Sequence, residues 1–428
     1  MRRKSRWNRL LPVIPALLLL CLGAAAAGEL GIGRGDYAPA KMPSGHGVPG
    51  DGAGRETDGG TVQEDGGTAQ EDGGKALAGQ ERPSLVIEAE SKAAGNPSAA
   101  GADGETGEGK AGTDGGASLL FAGDVLLSDH VLTAYDRAGN IGGVLDEAVR
   151  QEIDQADIFM VNQEFPFSER GTAAADKQFT FRLPLSRVPV MNEMGVDIVT
   201  LANNHALDFG TDALMDTCAA LDAAGILHVG AGADWEEAKG LKVMERGGLR
   251  FGFLGVSRVI PVANWAAGSK TPGMFTTYDI TVPQVLEEIE KASKACDFLT
   301  VYVHWGVERE TEPEEYQRAL GKKYIDAGAD LVVGAHPHVL QGIEFYGGKP
   351  IIYSLGNFVF GSSIPKTMLL EVDVAEDGAA SLRLFPCTSS GGYTRAVSDP
   401  AAVQNCFSEM EDMSFGVSVD AEGRVTPR

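Results

Sequence analysis

The stretch Leu-Val-Val-Gly-Ala-His-Pro-His, at residues 331–338, decides the fold class of this chain. A short apolar run that ends in glycine and histidines is typical of a buried strand followed by a functional loop. Comparable apolar runs occur at residues 118–122, 157–161, 197–201, 250–256 and 298–303. Helix-like stretches, such as 211–224 and 312–327, separate these runs, and 312–327 is expected to start with a capping box of Thr311 and Glu314. Strands that alternate with helices predict an α/β layered domain.

The pattern changes after Pro350, where apolar runs follow one another closely. They lie at residues 351–354, 368–374 and 382–385, and no long helical pattern separates them. The sequence therefore predicts a strand-rich end to the same α/β domain.

Polar residues follow five of the apolar runs, where the carboxyl ends of strands are expected. In an α/β fold such ends carry the catalytic and binding residues, so we expect these side chains to converge. Imidazole, carboxylate and amide groups together suit Zn²⁺, Mn²⁺ or Fe and suit Ca²⁺ less well. The set predicts a site for one or two divalent transition-metal ions. Its members are Asp124, Asn162, Glu164, Asn203, Asn204, His205, His304, His336 and His338.

Each of these residues taken singly also has a structural interpretation. His205 or His304 alone is more often a hydrogen-bonded core histidine, and Asp124 alone is as often a cap of a helix or turn. Glu164 alone is compatible with an ion pair to Arg182. The metal hypothesis therefore depends on the joint occurrence at five strand ends.

Charge and cysteine usage exclude several classes of function. The 428 residues carry 60 acidic and 36 basic side chains, which gives a formal net charge of −24. This balance disfavours binding to nucleic acid, because phosphate contacts need an excess of Lys and Arg. The five cysteines form no CxxC pair, so neither a disulfide framework nor a thiolate zinc site is expected.

Composition divides the chain into four segments. Residues 1–27 combine five basic side chains with an apolar run, which is typical of an export signal peptide or an uncleaved membrane anchor. Residues 28–116 are rich in glycine and acidic residues and are predicted to be a disordered linker. The folded domain is predicted at 117–400, followed by a C-terminal extension at 401–428. We therefore expect an extracytoplasmic protein, either membrane-anchored or secreted.

Six motifs resemble one known family. The resemblance is to the CapA (PgsA) family of capsule synthesis proteins for poly-γ-glutamate, within the calcineurin-like metallophosphoesterase superfamily. Its motifs span about 240 residues. They are FAGDVLL at 121–127, VNQEFP at 161–166, LANNHALDFG at 201–210, VHWGVE at 303–308, GAHPHVLQGIE at 334–344 and YSLGNFVFG at 353–361.

The resemblance implies a four-layer α/β/β/α sandwich with metals at the strand ends. It implies that Glu164 bridges two metals and that His205 is a non-ligand acid facing the leaving group. Asp124 and His338 would complete one metal site. The other site would be completed by Asn204, His304 and His336. Residues expected to support the ligands or touch substrate are Asn162, Asn203, Asp208, Glu308 and Asn357, although Glu308 and Asn357 fit a solvent salt bridge and a turn equally well.

One departure from the superfamily pattern concerns the first metal site. The pattern usually begins Asp-x-His, but here Leu126 stands at the third position. The first site therefore lacks the imidazole that this motif usually supplies, unless water or a neighbour such as His130 replaces it. A mononuclear site remains an alternative to a dinuclear one.

Three functions are compatible with these observations. The first is an exported, metal-dependent, hydrolase-like protein of capsular poly-γ-glutamate synthesis or export, acting beside membrane-embedded synthase subunits on an anionic polymer or phosphoester. The second is a non-catalytic accessory or polymer-binding subunit of the same complex. The third is a phosphatase or nucleotidase unrelated to capsule.

Overall fold

The computed structural model describes residues 116–175 and 177–428. The predicted export signal or anchor lies outside the described residues, as does the predicted linker up to residue 115. Within the part of the chain that the structure describes, no helix is both long enough and apolar enough to span a membrane.

The strands follow the apolar runs of the sequence. In chain order they are β1 (Gly116–Val125), β2 (Ile158–Gln163), β3 (Ile198–Thr200), β4 (Leu227–Val229), β5 (Ala231–Gly232), β6 (Lys242–Arg246), β7 (Leu249–Ser257), β8 (Gly273–Met274), β9 (Phe298–His304), β10 (Leu331–Ala335), β11 (Leu340–Tyr346), β12 (Lys349–Leu355), β13 (Asn357–Val359), β14 (Ser363–Ala375), β15 (Ala380–Ser390), β16 (Tyr393–Ala396), β17 (Val417–Val419) and β18 (Arg424–Pro427).

The helices lie between the strands of the first three quarters of the domain, and a last one follows β16. They are α1 (Asp129–Ala138), α2 (Glu147–Asp154), α3 (Val188–Glu193), α4 (Gly210–Ala224), α5 (Trp235–Ala238), α6 (Val282–Ala292), α7 (Glu315–Asp326) and α8 (Pro400–Asp412).

Two large sheets carry most of the strands. The ten-stranded sheet runs in the order β17-β18-β15-β14-β1-β2-β3-β4, with β13 paired to β1 and β16 to β15. The six-stranded sheet runs β11-β12-β10-β9-β7-β6, and the short strands β5 and β8 pair separately. Strands β1 to β4 are parallel to one another, as are β7, β9, β10 and β12. The prediction of a mixed α/β fold is confirmed.

Three apolar clusters define the layers. Alternate residues of β1 face opposite sides, so Leu119 and Phe121 pack between the two sheets while Leu120 packs against the helices outside. Helices α1 to α4 cover the outer face of the ten-stranded sheet. Helices α5 to α7 cover the outer face of the six-stranded sheet. The parallel strands are thus buried on both faces, which explains their continuous apolar sequences.

Residues 401–428, expected as an extension, pair and pack with the ten-stranded sheet. Strand β18 joins β15 through Val425 opposite Leu382, and β17 pairs with β18. Phe407 and Met410 of α8 are buried in the cluster between the two sheets. The segment therefore lies within the same layered core.

The expected start of helix α7 is wrong. The helix begins at Glu315, with Glu314 as its N-cap, and the capping box joins Glu314 to Gln317. The Gln317 side chain accepts a hydrogen bond from the Glu314 backbone N–H at 2.8 Å. Pro313 explains the shift, because proline disfavours the helical conformation for the residue before it.

Candidate metal centre

Asp124 is held at the end of β1 by a close approach between two backbones. A Cβ atom on Gly123 would lie 1.8 Å from the carbonyl oxygen of Gly356, so only glycine fits there. The N–H of Asp124 donates to that same oxygen at 2.9 Å. In the paired register Asp124 lies opposite Asn162 of β2 and Asn357 of β13. Its carboxylate is fully buried.

The two histidines after β10 have an unusual backbone. His336 has φ 100° and His338 has φ 59°, a region that residues with a Cβ atom rarely adopt. The His336 N–H donates to Asp124 Oδ2 at 3.3 Å, which joins this loop to the other sheet. Strained residues of this kind persist only where the surrounding structure holds them, and they concentrate at functional sites.

Asp124, Glu164 and His338 form the first group of possible metal ligands. Their ligand atoms all lie within 4.8 Å of one another. His338 Nδ1 is 3.2 Å from Asp124 Oδ2 and 3.9 Å from Glu164 Oε2. The amide oxygen of Asn357 lies 2.8 Å from the same Nδ1 and fixes the orientation of the ring.

Glu164, His304 and His336 form a second group within the same limit. His304 Nε2 lies 3.7 Å from Glu164 Oε1 and 2.9 Å from the amide oxygen of Asn204. The rings of His304 and His336 are 4.6 Å apart between centroids. The structure therefore brings together all six side chains that the sequence proposed as ligands, with Glu164 common to both groups.

Glu308 lies at the edge of this cluster. It is exposed, and its carboxylate forms a third group with His336 and His338 within 4.8 Å. The sequence placed Glu308 among the supporting residues, and the structure brings it beside two of the proposed ligands.

Hydrogen bonds from two buried asparagines connect the proposed ligands. Asn162 Nδ2 donates to Asp124 Oδ1 at 2.8 Å and lies 3.3 Å from His304 Nδ1. Asn203 Nδ2 donates to the Asn162 side-chain oxygen at 3.0 Å. The Asn203 oxygen in turn accepts the backbone N–H of His205 at 3.1 Å. Such supporting hydrogen bonds orient ligand side chains before an ion binds.

The charges of the cluster indicate a need for a cation. Both carboxylate oxygens of Glu164 are buried and have no hydrogen-bond partner among the described residues. Burial and the neighbouring Asp124 raise the pKa of Glu164 well above its ordinary value. Burial opposes a charge on His338, yet Glu164 and Asp124 raise its pKa to about 10. The two buried carboxylates therefore favour positive charge nearby, and a divalent ion would supply it.

The pKa values of the other two histidines are lowered, whereas that of His338 is raised. Burial, together with the other histidines, lowers the pKa of His304 well below its ordinary value. Burial and the neighbouring His338 lower the pKa of His336 to about 3. His336 Nδ1 is also buried without a hydrogen-bond partner among the described residues. Both rings are therefore neutral at physiological pH, the form that binds a metal ion.

His205 lies beside the cluster in a pair with Asp208. Its Nδ1 is 2.6 Å from Asp208 Oδ2, and the ring of Phe181 covers it at 4.4 Å between centroids. Burial lowers the pKa of His205, although the hydrogen bond to Asp208 raises it. The ring is therefore neutral at physiological pH in this structure.

Lys177 is a residue at this site that the sequence did not reveal. Its ammonium group is paired with Asp208, lies 2.9 Å from His205 Nδ1 and donates to the Asn204 carbonyl at 2.5 Å. It also faces the ring of Trp265 at 5.3 Å. Lys177 lies in an irregular loop with no periodic pattern, so the sequence contains no signal for it.

The position of the missing imidazole is filled by an apolar side chain. Leu126 is buried in the cluster between the ten-stranded sheet and its helices. His130, suggested as a replacement, is exposed in the first turn of α1. It belongs to none of the possible ligand groups among the described residues.

Comparison with known proteins identifies the family. Residues 118–362 match the sequence model of the bacterial capsule synthesis protein family PGA_cap. The capsule biosynthesis protein CapA of Bacillus anthracis is 30% identical over 307 residues, which cover 70% of this chain and 74% of the relative. The chain belongs to the CapA family of capsule synthesis proteins. This family has the metallophosphoesterase-like fold, so the resemblance drawn from the six motifs is confirmed.

Other similar proteins extend the comparison. The PGA biosynthesis protein CapA of Bacillus subtilis (strain 168) is 31% identical over 63% of this chain and 70% of its own length. A probable polyglutamine synthesis accessory protein of Mycobacterium tuberculosis is 31% identical over 54% of this chain and 65% of its own length. A solved structure, TT1561 of Thermus thermophilus, covers 60% of this chain and 94% of that chain at 9% identity with a TM-score of 0.35, which is too low to support an argument.

Proposed function

We propose that this CapA-family chain is an exported, metal-dependent, hydrolase-like protein of capsular poly-γ-glutamate synthesis or export. The observation that carries the proposal is the buried carboxylate of Glu164, which two groups of possible ligands share and which accepts no hydrogen bond from the described residues. The names of the relatives from Bacillus anthracis and Bacillus subtilis supply the connection to capsule.

The proposed ligand arrangement follows the two groups. Asp124 and His338 would hold one ion, and Asn204, His304 and His336 the other, with Glu164 between them. A bound divalent ion would supply Lewis acidity and lower the pKa of a coordinated water. Mn²⁺, Zn²⁺ and Fe suit this mixture of nitrogen and oxygen ligands. With Leu126 in place of an imidazole, the first site would be the weaker one, and a single ion at the second remains the alternative.

The residues of the chain itself would position the substrate and the departing group. Asp208 fixes the ring of His205 through Nδ1, which directs Nε2 away from that bond. His205 would donate from its ring N–H to the oxygen or nitrogen that leaves, as a general acid does. Donation from Nε2 requires the protonated ring; burial lowers the pKa of His205 and so opposes this form, whereas the hydrogen bond to Asp208 raises the pKa and favours it.

The biological setting is part of the proposal. An export signal or anchor at residues 1–27 would place the domain outside the cytoplasmic membrane, beside membrane-embedded synthase subunits. The substrate would be an anionic polymer or a phosphoester. Since the chain carries a net charge of −24, binding of a polyanion would depend on the metal centre.

The test separates catalysis from metal binding. We expect His205→Ala to retain its metal by elemental analysis and to lose roughly 100-fold or more of the Mn²⁺-dependent hydrolysis of phosphoesters. The control variant His130→Ala, which changes an exposed histidine outside the ligand groups, should behave as the wild type. Purified wild-type protein that binds neither Mn²⁺ nor Zn²⁺ would defeat the metal part of the proposal.

A second candidate is a non-catalytic accessory subunit of the capsule synthase. It is favoured by the name of the Mycobacterium tuberculosis relative, a probable synthesis accessory protein. Normal capsule in cells that carry His205→Ala would favour this candidate. Loss of capsule with intact folding and metal content would favour catalysis.

A further inference from the structure

A cavity of about 560 Å³ lies beside the metal centre, between α8 and the start of β14. Its volume is in the range of roughly 300–1,000 Å³ that small-molecule sites occupy. Leu340, Ile364, Met368 and Met410 line it and are buried. The cavity therefore has an apolar interior of the size that binds a small ligand.

The cavity borders the candidate metal centre at two residues. His338 and Asn357 both line it, and His338 Nδ1 lies 3.2 Å from Asp124 Oδ2. A molecule with one group at the ligand cluster can thus extend directly into the apolar chamber. Nothing in the proposed hydrolytic role of the centre uses this chamber.

The charges at the cavity do not suit a polyanion. Lys366, at the rim, is already paired with Glu409, and the exposed Asp412 adds a second negative charge. Each residue of a polyglutamate chain carries a carboxylate, which would be placed against methionine side chains and this acidic rim at a cost in desolvation and repulsion. Methionines instead adapt well to flexible apolar groups.

We propose that this cavity binds the apolar tail of a single-chain amphiphile whose phosphate or carboxylate head lies at the metal centre. The proposal rests on the proposed function for the head group, because a bound ion would attract that anion. The tail site depends only on the apolar lining. The inference therefore assigns the centre a substrate or product with one charged end and one uncharged, flexible end.

Cys406 offers a direct readout, because it lines the cavity and is only half-buried. The other described cysteines, Cys218, Cys296 and Cys387, are buried. We expect decylphosphonate, below its micelle concentration, to slow thiol labelling of Cys406 in the metal-loaded full chain at least about tenfold. Methylphosphonate, which has the head without the tail, should leave the rate unchanged. A Cys406→Ser variant identifies the labelled site.

A variant that fills the chamber provides the second measurement. Cys406→Phe places a ring in the cavity, and Asn405→Phe places the same ring on the neighbouring, exposed position of α8. We expect Cys406→Phe to weaken decylphosphonate binding about tenfold and to leave methylphosphonate binding unchanged. Asn405→Phe should bind both as the wild type does. The labelling experiment decides the matter if Cys406→Phe does not fold.

Removal of metal by a chelator separates this inference from the proposed function. Protection of Cys406 by decylphosphonate that persists in metal-free protein supports the tail site, even if no ion binds and the hydrolytic proposal fails. The tail site is overturned if metal-loaded protein binds the two phosphonates equally and Cys406 is labelled at the same rate with either of them. That result leaves the hydrolytic proposal standing.

Discussion

At the scale of single residues, Glu164 determines the chemistry of the candidate centre. Its two oxygens are buried between Asp124 and the histidines and accept no hydrogen bond from the described residues. A buried charge without a partner is costly, so proteins either neutralise it or coordinate it. Here the raised pKa of Glu164 and the raised pKa of His338 are two consequences of the same excess of negative charge.

Asp208 and Lys177 form a buried ion pair, and we expect its removal to lower the stability of the fold. Asp208 accepts from the Phe181 N–H at 2.7 Å and is paired with both Lys177 and His205. Asp208→Asn leaves the buried ammonium of Lys177 without a counter-charge and should lower the free energy of unfolding by about 3 kcal/mol. Urea denaturation measures this change.

Asp212→Asn is the matched control for that variant. Asp212 is exposed and lies 3.6 Å from Arg170, so its removal should cost at most about 1 kcal/mol. Equal losses of unfolding free energy in the two variants would show that burial does not increase the contribution of Asp208 to stability.

Single-residue chemistry was only partly predictable from the sequence. Asp124, Glu164 and the histidines were predictable because each follows an apolar run that forms a strand. Lys177 was not, because its loop is placed by tertiary contacts such as the hydrogen bond from the Ala174 N–H to the Asp208 carbonyl. The positive φ angles of His336 and His338 were not predictable either, since they depend on the packing of two sheets.

At the scale of elements, Glu344 joins α7 to β11 and β12. Its carboxylate accepts from Arg318 at 3.0 Å and from the Tyr353 hydroxyl at 2.7 Å, and it lies 2.8 Å from Lys322. Burial raises the pKa of Glu344, but these three donors outweigh burial and hold it below the ordinary value of 4.5. The charged form is therefore favoured by folding.

This lowered pKa predicts a loss of stability in acid. The contribution of Glu344 is fully present above pH 4.5 and disappears as the pH falls through the lower pKa of the folded state. We expect the melting temperature of the wild type to fall more steeply below pH 4.5 than that of Glu344→Gln. Glu315→Gln, which changes an exposed carboxylate of α7, should follow the wild type. Parallel curves for all three proteins would refute this role of Glu344.

Strands with longer apolar runs were easier to predict from the sequence than short strands. All nine expected strand cores lie in or next to observed strands, because each of those segments is buried in the layers. Short strands such as β5 and β13 were missed, since so few residues contain no periodic signal, whereas the three-residue strand β3 was predicted from the apolar run 197–201. Helix α8 was missed as well, and it buries only Phe407 and Met410.

At the scale of the whole molecule, the candidate centre lies where the two sheets meet. Asp124, Glu164 and Asn204 lie at or after the ends of strands in the ten-stranded sheet, whereas His304, His336 and His338 lie at or after the ends of strands in the six-stranded sheet. The hydroxyl of Tyr302 donates to the Ala122 carbonyl at 2.7 Å, which joins the sheets beside the site. An ion bound there would connect both sheets.

This arrangement predicts that metal stabilises the fold. An ion that binds only the folded state at 1,000 times its dissociation constant adds about 4 kcal/mol. We therefore expect Mn²⁺ to raise the melting temperature of chelator-treated wild type, and Glu164→Gln to lose most of this increase because both ligand groups share Glu164. His130→Ala should keep it. An undiminished increase in Glu164→Gln would place the ion elsewhere. Since the strand ends of two sheets supply the ligands, a stabilising ion at this place must resist their separation.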